Sequence, residues 1–455
     1  MPSNIRNCHQ LTRLVAATLA AAALGLPGGA LAQTAKEQEL EARVAELEKL
    51  VKQMQAAQQA APAPAPSAAP TATAAAAPGK PAAAPIQGVS ITPNAAPNTT
   101  FVLTGFVKAD ALWTNTSDGE IADNSSGRDF YIPGTIPIGG VDEGTDLNAH
   151  VKQSRINFGT DTILEGGDKL STRFEIDFFG SITGDQRVSN TYAPVVRHAY
   201  VQWRQWLVGQ TWSNFMDVAT LPEAVDFIGP TDGTSFVRQP QVRYTSGGLS
   251  LSAENRETTI TPYKGGSRIT SDDGWMPDLT ARYAWKGAWG HVALAGMLRE
   301  LVHETTGTGA IDDSTWTGAL SLSGKFVFGK DDVRWMGMYG NLGRYVGLNF
   351  ANDAVLDGSG DLDGIDGWAG FVAYRHFWTD RWRSTFSVAM QDYDNDVDLT
   401  GGLAAKSSWS WTANVFYSPL PKLDVGAEYR KANAEREDGK DGDLDRLQLT
   451  TKYSF

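Results

Sequence analysis

Basic side chains recur at alternate positions of short runs that are otherwise apolar. Lys108 and Asp110 alternate with Val107, Ala109 and Ala111, and Arg155 and Asn157 with Ile156 and Phe158. Arg173, Glu175 and Asp177 alternate with Phe174, Ile176 and Phe178, and Gln239, Gln241 and Arg243 with Val242 and Tyr244. The same parity puts Arg256, Arg282, Arg299, Lys325, Arg383 and Arg430 on the polar side of later runs. A guanidinium stays charged at any working pH and grips a carboxylate through two parallel N–H bonds. Such a row makes a field rather than a reaction: beside a narrow water path it concentrates small anions. Glu175, Asp177 and Glu254 lie in the same runs and would cancel that field by pairing with the arginines. Catalysis has less to work with. His9 falls in a leader-like segment, and His150, His198, His291, His303 and His376 form no spaced motif. No Gly-x-Ser-x-Gly or His-Glu-x-x-His run is present. The one cysteine, Cys8, excludes a disulfide framework and a cysteine-ligated metal. No catalytic residue, cofactor or metal is expected.

The runs that must hold these groups have period two. Leu423, Val425, Ala427 and Tyr429 alternate with Asp424, Gly426, Glu428 and Arg430, and Phe386, Val388 and Met390 with Thr385, Ser387 and Gln391. Each run is about ten residues, the length of a tilted membrane strand. Arginine and glutamate in mid-strand suit a wet lumen better than a sandwich core. Trp203, Trp206, Trp285, Trp289, Trp378 and Trp382 collect near run ends, as membrane-interface girdles do. Strands are expected to begin near Phe101, His150, Lys169, Val195, Trp206, Gln239, Leu249 and Asp278. The second half begins near Trp289, Thr315, Val333, Asp366, Arg381, Ser407, Lys422 and Leu444. Short turns such as Ser246-Gly247-Gly248 and Gly329-Lys330-Asp331 alternate with long polar loops, the outer-membrane arrangement. The expected fold is therefore all-β, a sixteen-stranded antiparallel transmembrane β-barrel over residues 99–455, ending on an outward-facing Phe455.

Composition sets the domain organisation. All 18 Phe, 14 Trp and 13 Tyr of the 455 residues lie at or after Phe101, so the first hundred residues carry no core. Residues 1–32 read as a secretory signal peptide, with Arg6 and Arg13, an apolar run from Leu14 to Leu26, and Ala30-Leu31-Ala32 as cleavage site. In residues 33–58, Leu40, Val44, Leu47, Val51 and Met54 follow a 4-3-4-3 spacing, a short coiled-coil helix in the periplasm. A single amphipathic helix on a partner fits the same spacing. Residues 59–98 are rich in Ala and Pro, an extended linker that suits either a passive spacer or a cell-wall tether. The net charge of −13 argues against a nucleic-acid partner. Acid gathers in loops such as Asp118 to Asp146 and Asp353 to Asp366, a rim suited to divalent cations and lipopolysaccharide.

Between Trp212 and Val237 the chain is more apolar than its other long loops, with Phe215, Leu221, Phe227, Ile228 and Phe236. A loop folded into the barrel needs these residues; a loop at a subunit contact would also use them. Lys108 after Leu103-Thr104-Gly105, Arg155 in Ser154-Arg155-Ile156-Asn157-Phe158-Gly159, and Arg197 in Arg197-His198-Ala199-Tyr200-Val201 resemble constriction-wall positions of sixteen-stranded trimeric porins. Val208-Gly209-Gln210-Thr211-Trp212-Ser213-Asn214-Phe215-Met216-Asp217, Asp226-Phe227-Ile228-Gly229-Pro230 and Arg238-Gln239-Pro240-Gln241-Val242-Arg243-Tyr244 resemble the dicarboxylate-selective DcaP-like porins. The N-terminal coiled coil fits that family too.

The resemblance implies an outer-membrane homotrimer that passes small anionic solutes, dicarboxylates or related organic acids, by passive diffusion. Its implied pore-lining set is Lys108, Arg155, Arg173, Arg197, Arg238, Gln241, Arg243, Arg282 and Arg383, with Asp217, Glu223 and Asp226 on the constriction loop. Parity alone leaves Arg197 ambiguous; the resemblance turns it into the lumen. One departure is Gln210, where general porins often carry arginine. A general diffusion pore with little charge selectivity, or a structural tether to the cell wall, are the alternatives.

Overall fold

The computed structural model describes Lys49, residues 95–180, Asn190 and residues 192–455. The expected signal peptide, the coiled coil apart from Lys49, and the linker up to residue 94 lie outside the described residues.

Period-two alternation puts every second side chain on one face, so consecutive runs pair into a sheet with one greasy and one polar side. Sixteen barrel strands result among the described residues. The first eight are β1 (Thr99–Thr116), β2 (Thr145–His150 and, after a break, Arg155–Ile163), β3 (Lys169–Asp177), β4 (Val195–Trp203), β5 (Trp206–Trp212), β6 (Arg238–Ser246), β7 (Leu249–Glu254) and β8 (Asp278–Gly287). The second eight are β9 (Gly290–Glu304), β10 (Asp312–Phe328), β11 (Asp331–Gly340), β12 (Gly367–Phe377), β13 (Trp382–Tyr393), β14 (Ala405–Leu420), β15 (Leu423–Arg436) and β16 (Asp441–Ser454). Neighbours in sequence pair antiparallel. β16 returns to β1, from Phe106 opposite Ser454 to Thr116 opposite Leu444, and the sheet has no edge.

Fifteen of the sixteen strands begin within three residues of the expected positions. The exception is β2, which starts at Thr145 rather than near His150. The break at residues 151–154 slips its pairing by one: Asp110 faces His150, but Phe106 faces Arg155. Outward residues change from Leu147 to Ile156 and Phe158, so the first half carries the opposite parity and is hidden from a period-two reading.

Outside, Leu103, Val107, Val208, Leu320, Val372 and Phe386 stand exposed, as lipid-facing side chains do. Trp203, Trp206, Trp285, Trp289, Trp378 and Trp382 ring the end that bears the short turns. Inside, the faces differ from one another. Ala295, Met297, Ala319, Met336, Met338, Ala369, Phe371 and Ala389 on β9 to β13 pack against Phe215, Leu342, Tyr345, Val346 and Phe350 from the loops. An apolar cluster thus fills part of that half of the interior. Polar and charged side chains hold the half along β2 to β7.

A four-stranded sheet closes over the β9 to β13 half, in the order Ile269–Ser271, Thr258–Thr261, Ala354–Leu356, Leu362–Gly364. Beneath it the fully buried Arg299 Nη1 reaches Asp353 Oδ1 at 2.6 Å, and its Nε reaches Asp278 at 3.2 Å. Breaking a buried pair from one side strands the other charge, at a cost of about 3–5 kcal/mol. Arg299→Leu is therefore expected to loosen this sheet, seen as protease cleavage within residues 255–277 that the wild type resists.

Candidate functional site

The loop of residues 213–237 lies inside the barrel: Asn214, Phe215, Met216, Val225, Ile228, Thr231 and Asp232 are all buried. Its entry is fixed by hydrogen bonds at β7. Glu254 accepts from Asn214 N at 2.8 Å, and Asn214 Nδ2 donates to Ser250 O at 3.0 Å. From there the loop travels along the inner wall, fastened strand by strand. Arg282 on β8 donates to Met216 O at 3.0 Å. Asp217 meets His291 Nε2 on β9 at 2.7 Å and accepts from Ser323 on β10 at 3.0 Å. Arg334 on β11 donates to Leu221 O. Arg383 on β13 grips Glu223, with Nη2 2.6 Å from Oε1 and Nε 2.8 Å from Oε2. Lys108 on β1 donates to Val225 O at 2.8 Å, and Arg430 on β15 to Gly229 O at 2.7 Å. Gly233 lies flat on β12; a Cβ there would sit 2.1 Å from the carbonyl oxygen of Gly370, so only glycine fits.

Asp232 carries the deepest fastening. It accepts from Tyr131 Oη at 2.7 Å, from Ser408 Oγ at 2.6 Å and from Ser410 Oγ. Burial raises its carboxyl above the usual range against these three hydrogen bonds. Burial, then the neighbouring Asp232, raises the Tyr131 hydroxyl well above its ordinary value. Asp232 thereby ties together the first and third long loops and β14.

The wall away from these fastenings carries the arginines. On β2, Arg155 Nη2 is 2.6 Å from Asp177 and its Nη1 3.1 Å from Glu175. Arg197 Nε meets the other oxygen of Asp177 at 2.7 Å, and its Nη2 donates to Phe179 O at 2.7 Å. Arg173 Nη1 meets Asp161 at 3.0 Å. Arg243 donates to Trp212 O, as does Gln241 Nε2 at 2.9 Å. Arg238 stacks on Trp212 with its guanidinium carbon 3.4 Å from the ring centroid. Neither Arg238 nor Arg243 has a carboxylate within ion-pair distance among the described residues. Phe227, near the loop tip, faces Arg155 at 5.8 Å and Arg197 at 5.4 Å.

A β-bulge explains why alternation left Arg197 unresolved. β3 and β4 pair Glu175 with His198 but Ile176 with Val196, so Arg197 is an extra residue without an opposite. It turns toward Asp177 beside His198, two neighbours on one side of the sheet.

The expected pore-lining residues thus fall into two sets. Arg155, Arg173, Arg197, Arg238, Gln241 and Arg243 occupy the β2 to β6 wall. Lys108, Arg282 and Arg383 hold the loop, and Lys108 is spent on Asp110 at 2.7 Å, Gln153 at 2.5 Å and Val225 O. The loop acids Asp217, Glu223 and Asp226 do not meet the arginine wall. Asp217 and Glu223 bond to β8 to β13; Asp226 accepts from Tyr131 N at 3.1 Å and stands 3.6 Å from Arg430. Of the acids that threatened to cancel the arginines, Glu175 and Asp177 do pair, while Glu254 bonds the loop entry and Gln239 Nε2 at 2.6 Å. Sequence reasoning missed Asp232, Tyr131, Ser408 and Ser410. The only sign was an aspartate between Thr231 and Gly233 in an apolar loop.

The sequence profile of the family described as DcaP outer membrane protein matches residues 92–455. The chain belongs to that family. It is a bacterial outer-membrane channel protein and not an enzyme. No individually curated protein matches this DcaP family member. Among solved structures it is similar to the outer membrane channel DcaP of Acinetobacter baumannii, at 22% identity and a TM-score of 0.62, over 79% of this chain and 98% of that one. Salmonella typhi OmpF in complex with daunomycin aligns at 11% identity and a TM-score of 0.50, covering 79% and 98%. The trimer form of Vibrio cholerae OmpT aligns at 11% identity and 0.47, covering 78% and 99%. The first two likenesses show the shared barrel fold. Within the DcaP family frame, the in-folded loop and the arginine wall opposite it are the candidate constriction.

Proposed function

We propose that this DcaP family porin passes small anionic solutes, dicarboxylates or related organic acids, by passive diffusion between the in-folded loop and the β2 to β6 wall. The observation that supports the reading is Arg238, a guanidinium stacked on Trp212 with no carboxylate within ion-pair distance among the described residues. Among the described residues Arg155, Arg197 and Arg238 outnumber Glu175 and Asp177 by one charge, and Arg243 adds another cation with no carboxylate within ion-pair distance. A carboxylate crossing this wall replaces lost hydration with N–H donors that are already in place. The loop acids are held against the other wall and oppose this less. In planar bilayers under a salt gradient, the purified protein is expected to show a reversal potential of anion preference, and succinate is expected to compete with chloride current. A cation-preferring wild type would end the proposal.

Homotrimeric assembly is part of the same reading. β5 has seven residues and β7 six, fewer than the roughly 9–11 a tilted strand needs to cross the hydrocarbon. A second copy against this low wall would cover what lipid cannot match. The acidic loops are proposed to face lipopolysaccharide. β1 starts at the short-turn end, so the preceding segment, residues 33–98, is proposed to lie in the periplasm, within reach of the cell wall.

A further inference from the structure

On the lipid side of β9 to β13 lies an apolar groove of about 660 Å³, floored by Gly337 and Gly370 and bounded by Leu320, Leu322, Trp368, Val372 and Met390. The two glycines are directly opposite each other on β11 and β12, so the gap is two strands wide. Gly370 has a reason within the chain: a Cβ there would lie 2.7 Å from the carbonyl oxygen of Met336. Gly337 has none. A Cβ at Gly337 meets nothing within 4 Å, and its backbone does not require glycine. Glycine weakens a strand interior, and a leucine on this face would gain contact with lipid; a bare position there marks something approaching from outside.

We propose that this groove seats an acyl chain of lipopolysaccharide. The occupant must be narrow. Leu320, Tyr339 and Val372 project with 61%, 66% and 58% of their surface exposed. They would hold the flat wall of another barrel off the floor, whereas a single hydrocarbon chain passes between them. The occupant must also be apolar, since no outward side chain of the lining is charged. Tyr339 and Trp368, paired across β11 and β12 at the long-loop end, place the upper mouth at the headgroup level of the outer leaflet. The chain therefore descends from the leaflet built of lipopolysaccharide.

Protein extracted from outer membranes in mild detergent and examined by native mass spectrometry is expected to retain lipopolysaccharide, and Gly337→Leu to retain several-fold less. Unchanged single-channel conductance of Gly337→Leu in a planar bilayer shows that the variant is folded, since its side chain points away from the lumen. Tyr339→Ser, at the rim, is expected to lower retention as well and serves if Gly337→Leu does not assemble. Equal lipopolysaccharide on wild type and both variants overturns the proposal. So does a phospholipid as the species retained, or a second copy of the chain cross-linked through residue 337.

Discussion

Arg238→Glu is expected to turn the channel from anion preference to cation preference. Arg155 and Arg197 are each held on Asp177, and Arg155 also on Glu175, so much of their field is spent locally. Arg238 lies against the rings of Trp212 and Phe236, with no carboxylate within ion-pair distance among the described residues. Its replacement by glutamate changes the sum over Arg155, Arg197, residue 238, Glu175 and Asp177 from one positive to one negative. At a distance of about 8 Å such a two-charge change is worth on the order of 2 kcal/mol after screening, more than tenfold in anion partition. Arg173→Glu is the comparison. Arg173 sits on Asp161 and Thr160 O, and its reversal is expected to move the reversal potential less. Equal shifts for the two variants, or none for Arg238→Glu, would remove Arg238 from the conduction path.

Asp232→Ala is expected to raise single-channel conductance and weaken ion selectivity together. The substitution leaves Tyr131, Ser408 and Ser410 without their shared acceptor in a fully buried place, about 1–3 kcal/mol for each donor left unmade. Those donors belong to the first long loop and to β14, so the third loop loses its buried hub to both and keeps only the bonds of Asp226 and Thr231 to Tyr131 and of Glu223 O to Asn414. The barrel itself closes through backbone pairing from β16 to β1 and does not depend on Asp232. The variant is therefore expected to keep the unheated electrophoretic mobility of a folded barrel while its conductance rises. Glu223→Ala, which takes one partner from Arg383 and Arg375 and leaves them Asp424 and Asp332, is expected to give a smaller rise. An unchanged conductance for Asp232→Ala would mean that the loop keeps its place without this hub.

Much of the constriction was legible in order of residues but not in their partners. Arg155, Arg173 and Arg243 follow from alternation because a strand offers only two faces. The apolar loop residues Phe215 and Ile228 implied burial, and both are buried. The fate of the charges was not legible. Lys108 and Arg383 read like Arg155 in sequence, yet they fasten the loop. The loop acids Asp217, Glu223 and Asp226 read only as members of a constriction loop, and the sequence did not show which strands and loops they bond.

Sequence by itself determined the barrel, since a two-residue period and the alternation of short turns with long loops are local properties that any paired strand must express. Arg155, Arg173 and Arg243 follow from the same rule. Only the tertiary structure decided the rest. It put Arg197 beside His198 through a bulge, filled the β9 to β13 half of the interior with loop side chains, and chose which carboxylate each arginine meets. These outcomes depend on which distant segments share one interior, and a charge in a closed space is set by its neighbours across that space rather than by those along the chain.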